Sequence, residues 1–193
     1  MNKSEKEQLV VIGGSAGSLP ILLLIIELLS NDFALPIVIV IHRQRNVLSE
    51  FTKILTHAYK SKKIIEPDDK DPINPCCIYV APQNYHLLIE GDYTFSLDYS
   101  EAVKFSRPSI DVTLDSAARV YQNNLITILL SGANNDGTAG AGSVAENGGV
   151  VIAQDPKTAA FPVMPASAIA AIPGIVVLDP DDIAAYLNDI NKK

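Results

Sequence analysis

A glycine-flanked serine between two apolar runs is the feature that most constrains the fold of this chain. The run LVVI at residues 9–12 leads directly into GGSAGS at residues 13–18, and a second apolar stretch, residues 19–29, follows. This order predicts a strand, a sharp turn and a helix, because glycine accepts the positive φ and the close backbone approach that such a turn imposes. Ser15 would then be exposed above the edge of a parallel sheet, where a serine can act as a nucleophile.

A glycine-rich turn after a first strand is also typical of sites that hold a phosphate at a helix N-terminus. Three observations disfavour that interpretation. The glycines do not follow the G-x-G-x-x-G spacing, and no Gly-Lys-Ser or Gly-Lys-Thr sequence follows them. In addition, the second apolar run ends in His42 rather than in an acidic residue that could bind a ribose hydroxyl. The turn therefore favours presentation of a nucleophile.

Short β-branched runs alternate with helical stretches, which predicts an α/β fold: a doubly wound, mostly parallel sheet with helices on both faces. The predicted strands are residues 9–12, 37–41, 64–65, 78–80, 125–130, 150–153 and 175–177. The predicted helices are residues 19–29, 49–59, 109–121, 137–147, 165–171 and 181–190. An inserted antiparallel hairpin is predicted at residues 86–97, because apolar residues alternate on both sides of Gly91.

Charge and cysteine content narrow the class of function. The 193 residues carry a formal net charge of −7 with a pI near 4.9, which disfavours a nucleic-acid binder, since phosphate backbones require a basic face. Residues 1–8 are a polar N-terminal segment without a signal peptide, and residues 19–29 are too few to span a bilayer and include Glu27, so no membrane insertion is expected. Cys76 and Cys77 are adjacent, which suits neither a disulfide nor a zinc site. These features predict a cytoplasmic protein.

Three polar residues follow three different predicted strands. Ser15 follows the first strand, His42 ends the second, and Asp136 lies in the glycine-bracketed loop at residues 131–137. Because ligands bind outside the carboxyl ends of parallel strands, we expect the three residues at one edge of the sheet. A nucleophilic serine needs a base to take its proton and a carboxylate to orient that base. The sequence thus predicts a Ser-His-Asp site.

Each of these residues also has a structural explanation. Asp136 could form an Asx-turn or cap the helix that begins at Gly137. His42 could be a strand-end histidine with a satisfied hydrogen bond. His57 and His86 are competing bases, although His57 falls within a predicted helix and His86 at the start of the hairpin. The coincidence of three suitable residues at three strand ends favours the hydrolase interpretation.

A series of motifs then occurs in the order found in one known family. They are GGSAGS at residues 13–18, His42, IYVAP at residues 78–82 with His86, RPS at residues 107–109 with Asp111, SG-x3-DG at residues 131–137, and Met164-Pro165. From about residue 9 to residue 193 the chain resembles the catalytic domain of CheB, the chemoreceptor protein-glutamate methylesterase. The resemblance implies that Ser15 is the nucleophile, His42 the base and Asp136 the orienting acid.

The same resemblance implies the substrate and the partner. The enzyme would remove methyl esters from glutamate side chains in the cytoplasmic domain of a methylated chemoreceptor, and would deamidate glutamines, in chemotaxis adaptation or related signalling. The implied mechanism needs neither a metal nor an organic cofactor. The oxyanion and substrate loop would contain Ala16, Ala133 and Asn134. Expected substrate contacts are Arg107, Arg43 and Met164, although Arg107 equally fits a structural role before Pro108.

The sequence also departs from the family pattern. Ala133-Asn134 stands where the family usually has Met-Gly, and Arg43-Gln44 where it usually has Met-Pro. CheB proteins usually carry an N-terminal receiver domain, and none is expected here, because only a few residues precede the first strand. Two alternative functions stay open: a small-molecule carboxylesterase or amidase using the same three residues, and a binding module that has lost catalysis.

The stretch at residues 19–29 also predicts an assembly. It is apolar around nearly the whole circumference of a helix, whereas a helix lying on a sheet needs only one apolar stripe. A second copy of the chain or a separate regulatory partner is therefore expected to cover its outer face. The alternative is burial under the C-terminal helix, residues 181–190.

Overall fold

The computed structural model describes residues 8–43, 50–59 and 63–192, and nine strands and six α-helices occur in these ranges. The strands are β1 (Leu9–Gly14), β2 (Ile37–Ile41), β3 (Lys63–Ile65), β4 (Cys77–Val80), β5 (His86–Ile89), β6 (Phe95–Asp98), β7 (Leu125–Leu129), β8 (Val150–Gln154) and β9 (Val176–Leu178). The helices are α1 (Leu19–Leu28), α2 (Phe51–Ala58), α3 (Ile110–Tyr121), α4 (Thr138–Glu146), α5 (Val163–Ala171) and α6 (Pro180–Ile190).

Seven of the strands form one parallel sheet in the order β3-β4-β2-β1-β7-β8-β9, and β5 and β6 pair antiparallel as a separate hairpin. The chain leaves β1 toward β2 on one side and continues from β7 toward β8 on the other. Helices α1, α2 and α6 pack on one face, while α3, α4, α5 and the hairpin pack on the other. The predicted doubly wound α/β fold with an inserted hairpin is thereby confirmed.

Burial on both faces explains why the central strands have continuous apolar sequences instead of alternating ones. Every residue of β1, β2 and β7 is buried. Successive side chains of β1 enter opposite cores, since Val10 and Ile12 join one hydrophobic cluster and Leu9 and Val11 the other. The point where the chain turns to opposite sides of the sheet lies between β1 and β7, which is where ligand sites of such folds occur.

Element boundaries differ from the predicted ones by a few residues. Strand β1 runs two residues further than predicted, because Gly13 and Gly14 still pair with neighbouring strands. Helix α5 begins at Val163, before the predicted start at residue 165. The predicted start of the second helix at residue 49 and most of the N-terminal segment at residues 1–8 lie outside the described residues.

Helix α1 is partly covered by α6, as the alternative prediction had it. Ile183 and Leu187 of α6 share a hydrophobic cluster with α1. Asn188 accepts a hydrogen bond from the Ser30 N–H at 2.8 Å and donates one to the Leu28 carbonyl at 2.9 Å. Leu28 stays exposed, so a second copy or partner on this outer face remains a prediction. No helix in the described ranges has both the length and the apolar character needed to cross a membrane.

Candidate active site

The serine turn follows β1 and leads into α1. Ser15 is half-buried, and its carbonyl accepts hydrogen bonds from the Oγ and the N–H of Ser18, at 2.7 and 3.1 Å. Gly17 has a φ of 75°, which disfavours a residue with a side chain. A Cβ on Gly14 would lie 2.7 Å from the Cβ of Ser18. The positive φ therefore requires glycine at residue 17, and the close approach of Ser18 requires glycine at residue 14.

Ser131, in the loop after β7, fixes this turn from the neighbouring strand. Its carbonyl accepts the Ser15 N–H at 2.9 Å, and its Oγ donates to the Ala16 carbonyl at 2.8 Å. The Ser131 N–H in turn donates to Oε1 of Gln154, a buried residue at the end of β8, at 2.9 Å. The amide of Gln154 donates to Oγ1 of Thr158 at 3.1 Å. The prediction missed Gln154, although a glutamine ending the apolar run VVIAQ was its signal.

His42 follows β2 next to the serine turn. Gly14 pairs with Ile41, and the His42 N–H donates to the Gly14 carbonyl at 3.2 Å, so Ser15 and His42 follow paired positions on adjacent strands. The His42 side chain is 12% exposed, and its Nε2 lies 2.7 Å from Oδ2 of Asp136. Nδ1 is therefore the ring nitrogen of His42 that can accept a proton from a serine.

Asp136 is fully buried and its carboxylate accepts four hydrogen bonds. Oδ2 accepts from His42 Nε2 at 2.7 Å and from the Ile110 N–H at 2.8 Å. Oδ1 accepts from Ser109 Oγ at 2.9 Å and from the Asp111 N–H at 3.2 Å. The carboxylate thus satisfies free N–H groups at the start of α3, where the helix dipole also favours a negative charge.

This arrangement corrects the helix-cap alternative for Asp136. The residue does not cap the helix that follows it, since the N-cap position of α4 is Gly137, with a φ of 93°. The Asx-type contact in the loop comes from Asn134, whose Oδ1 accepts the Asp136 N–H at 3.1 Å. Asp136 instead meets the start of α3, an element that precedes it in the chain.

The surroundings of Asp136 keep it ionised. Burial alone raises the pKa of this carboxyl group, but the hydrogen bonds from His42 and from the N–H groups of Ile110 and Asp111 outweigh it and hold the pKa at about 2. An ionised carboxylate only accepts hydrogen bonds, so Nε2 of His42 carries the proton that points at Asp136. This fixes the tautomer in which Nδ1 is free to act as a base.

The two competing histidines, His86 and His57, lie at other positions in the fold. His86 is buried, and its Nδ1 accepts the Ser109 N–H at 3.1 Å while its Nε2 lies 3.0 Å from the Glu101 carbonyl. Because Nδ1 accepts, Nε2 carries the proton and donates it to that carbonyl. His86 therefore holds the segment that leads into α3. His57 is exposed on α2.

Two exposed residues lie in the loops that Ser131 joins, Ala16 directly after Ser15 and Ala133 two residues after Ser131. Ala16 and Ala133 are both exposed, and their N–H groups donate no hydrogen bond within residues 8–43, 50–59 and 63–192. Ser131 links the two loops through its contact with the Ala16 carbonyl. N–H groups in such positions suit a developing oxyanion. That role for Ala16 and the Ala133-Asn134 loop remains a prediction.

The two arginines expected at the substrate form contacts within the fold. Arg43, 7% exposed in its side chain, donates to Oε1 of Glu66 at 2.8 Å and to the Ala81 carbonyl. Arg107 donates to the Tyr99 carbonyl at 2.9 Å, and its Cζ lies 4.0 Å from the centroid of the Tyr99 ring. These contacts fit the structural role left open for Arg107. Substrate contact by either arginine remains a prediction, and Gln44 lies outside the described residues.

Met164 lies beneath the loop that carries the predicted oxyanion position. It is fully buried, and its N–H donates to the Gly132 carbonyl at 3.0 Å. A Cβ on Gly132 would lie 2.5 Å from Cε of Met164, so the glycine permits this packing. Met164 thus supports the loop from below, and substrate contact by this residue remains a prediction.

The chain is similar to proteins of one known family. Residues 10–187 match the model of the CheB methylesterase family. The chain belongs to this family. The crystal structure of the Thermotoga maritima CheB methylesterase catalytic domain matches with a TM-score of 0.91 and 33% identity, covering 96% of this chain and 100% of that one. The fold is therefore that of the CheB catalytic domain, as the motifs implied.

Two proteins similar to this CheB-family chain are named for the same activity. A protein of Leptospira interrogans serogroup Icterohaemorrhagiae serovar copenhageni (strain Fiocruz L1-130), provisionally named protein-glutamate methylesterase/protein-glutamine glutaminase, is 45% identical over 175 residues. These residues cover 91% of this chain and 90% of that protein. The Thermotoga maritima protein-glutamate methylesterase/protein-glutamine glutaminase is 38% identical over 168 residues, which cover 84% of this chain and 48% of that protein. Methylesterases are hydrolases.

Proposed function

We propose that this chain is a protein-glutamate methylesterase that acts on methylated chemoreceptors and deamidates glutamines at the same site. The observation that carries the proposal is the 2.7 Å contact between His42 and the buried carboxylate of Asp136, next to the glycine-flanked turn of Ser15. A serine, a base and an orienting acid are the groups that acyl transfer requires. The names of the relatives support the glutamate ester as substrate.

In the first half of the reaction, Nδ1 of His42 takes the proton of Ser15 Oγ while this oxygen attacks the carbonyl carbon of the glutamate methyl ester. The N–H groups of Ala16 and Ala133 receive the oxyanion. The bond to the methoxy oxygen then breaks, and methanol leaves with the proton that His42 held. The product is an ester between Ser15 and the glutamyl group.

In the second half, His42 takes a proton from a water molecule, which attacks the acyl-enzyme, and returns that proton to Ser15 Oγ. A glutamate side chain with a free carboxylate remains on the substrate, and the second proton of the water passes to the solvent. Asp136 stays ionised throughout and stabilises the positive charge that His42 carries twice in the cycle. With a glutamine substrate, ammonia leaves in place of methanol.

The nature of the substrate also determines where the proposed reaction takes place. Residues 9–193 form the catalytic domain, and the substrate glutamates belong to the cytoplasmic domain of the receptor. The enzyme is therefore placed in the cytoplasm.

Methanol release from membranes that contain a methylated chemoreceptor tests the proposal. We expect release by the parent chain and none by a sample whose serine has reacted with a fluorophosphonate. Hydrolysis of 4-nitrophenyl acetate without methanol release would favour the small-molecule esterase. Failure of Ser15 to react with the fluorophosphonate, with no turnover of either substrate, would favour the binding module.

A further inference from the structure

A fully exposed phenylalanine lies at the tip of a tight turn before α3. Phe105 is 100% exposed. The Val103 N–H donates to the Ser106 carbonyl at 3.1 Å, and the Ser106 N–H donates to the Val103 carbonyl at 2.8 Å, which closes a two-residue turn. Its central residues, Lys104 and Phe105, have φ values of 47° and 64°. Such turns favour Asn-Gly, because bulky side chains are strained at positive φ.

The turn is tied to the loop of the catalytic carboxylate. Nζ of Lys104 donates to the Asn135 carbonyl at 3.0 Å and pairs with Oδ2 of Asp111 at 2.7 Å. Asn135 directly precedes Asp136. The two bonds of Lys104 therefore hold Phe105 at the carboxyl edge of the sheet, beside the site.

Other large apolar side chains are exposed in the chain segment that precedes Phe105. They form, together with Phe105, what we call the apolar rim: Tyr85, Tyr99, Val103 and Phe105. The rings of Tyr85 and Tyr99 are 5.5 Å apart, and Tyr99 is 66% exposed. Exposed apolar groups that contact each other, as Tyr85 and Tyr99 do, mark interaction sites on monomers.

The geometry points to Phe105 as a residue that binds an apolar side chain of the polypeptide carrying the reacting glutamate. This inference rests on the proposed function. The glutamate side chain reaches Ser15, whereas the rest of the substrate chain must lie across the surrounding edge of the sheet. Phe105 is held at that edge by its turn, at a backbone conformation that favours glycine, while its ring stays in water. An apolar side chain of a protein substrate can cover this ring, which the folded chain leaves fully exposed.

Replacement of Phe105 by glycine separates this role from a structural one. Glycine relieves the positive φ, so Phe105→Gly should raise the midpoint of thermal unfolding. The same change should lower kcat/KM for methanol release from methylated receptor membranes by about tenfold, mainly through KM, as is typical when one interface anchor is lost. Hydrolysis of 4-nitrophenyl acetate should stay within about twofold of the parent rate, because this small ester does not reach the rim.

Tyr93 provides the matched control. It is an exposed aromatic residue with a φ of 64°, and its ring contacts Tyr121 at the other end of α3. Tyr93→Gly should leave both reactions unchanged, whereas Phe105→Leu should restore part of the activity on the receptor. These two results together would show that the receptor activity lost in Phe105→Gly depends on an apolar side chain at residue 105.

Several outcomes would overturn the inference. Parent-like receptor activity in Phe105→Gly would exclude Phe105 from recognition, and an equal loss on both substrates would show that the turn only supports the catalytic loop. A shift from dimer to monomer in sedimentation of Phe105→Gly would assign the ring to a second copy of the chain. A parent enzyme that hydrolyses 4-nitrophenyl acetate but releases no methanol from the receptor would overturn the proposed function itself.

Discussion

The two halves of the proposed site are held in different ways. The acid half is held by side-chain and charge interactions, since the carboxylate of Asp136 accepts four hydrogen bonds in a fully buried position. The nucleophile half is held by its backbone, through the contacts of the Ser15 N–H and carbonyl with Ser131 and Ser18. Changes at Asp136 should therefore affect both stability and chemistry, whereas changes at the Ser15 side chain should affect chemistry alone.

Ser15→Ala gives the largest expected effect. Turnover should fall by about 10⁶-fold, because removal of the nucleophile of a serine hydrolase leaves only the contribution of binding and the oxyanion site. The free energy of unfolding should change by less than about 0.5 kcal/mol, since the turn is held by backbone atoms. Methanol release and urea unfolding of the same sample measure the two quantities. Substantial remaining activity would exclude Ser15 as the nucleophile.

Asp136→Asn should combine a loss of turnover of about 10⁴-fold, caused by the wrong tautomer of His42, with a loss of stability. The lowered pKa of Asp136 corresponds to about 2 kcal/mol of unfolding free energy at neutral pH. Asp115→Asn is the control, because the half-exposed Asp115 pairs with Arg119 and accepts a hydrogen bond from Ser143 Oγ that an asparagine oxygen can still accept, so neither quantity should change much. If Asp136→Asn were slow but as stable as the parent, the carboxylate of Asp136 would not stabilise the fold, and the two halves would not differ in this respect.

The acid half also predicts a dependence of stability on pH. The pKa of Asp136 is about 2 in the folded protein and about 3.9 in an unfolded chain, so the unfolded state binds the proton first as the pH falls. The contribution is complete above about pH 5 and is lost between about pH 4 and pH 2. In urea unfolding across this range, the parent should lose about 2 kcal/mol more than Asp136→Asn. Parallel curves for the two proteins would show that Asp136 has no such linkage.

Gln154→Leu tests whether the hydrogen bond from Ser131 to Gln154 supports the Ser15 turn. The change leaves the buried N–H of Ser131 without its acceptor, which costs about 1–3 kcal/mol of unfolding free energy. We expect kcat to fall by about tenfold with little change in KM, because the Ser15 turn loses its support while the substrate contacts remain. In the control Thr158→Val, Gln154 still accepts the Ser131 N–H, so kcat should stay near that of the parent. Equal effects in both variants would exclude a specific role for the bond to Ser131.

The sequence predicted the features that depend on local pattern. Apolar runs predicted every strand of the sheet, and a glycine-flanked serine and two strand-end residues pointed to Ser15, His42 and Asp136. What the sequence could not predict depends on the packing of distant elements. The partner of Asp136 at the start of α3 follows from strand order, and the support by Gln154 follows from the pairing of β7 with β8. The internal contacts of Arg43 likewise depend on where Glu66 lies in space.

The position of Asp136 has a consequence for how the chain acquires activity. His42 and Asp136 are 94 residues apart in sequence, and the start of α3 lies between them. The site therefore closes only after β2, α3 and β7 have docked, which requires contacts of large sequence separation that form late in folding. No single segment or locally folded fragment brings the base to its acid. During refolding, the return of esterase turnover would report completion of the central sheet, and so would lag behind the recovery of helical structure.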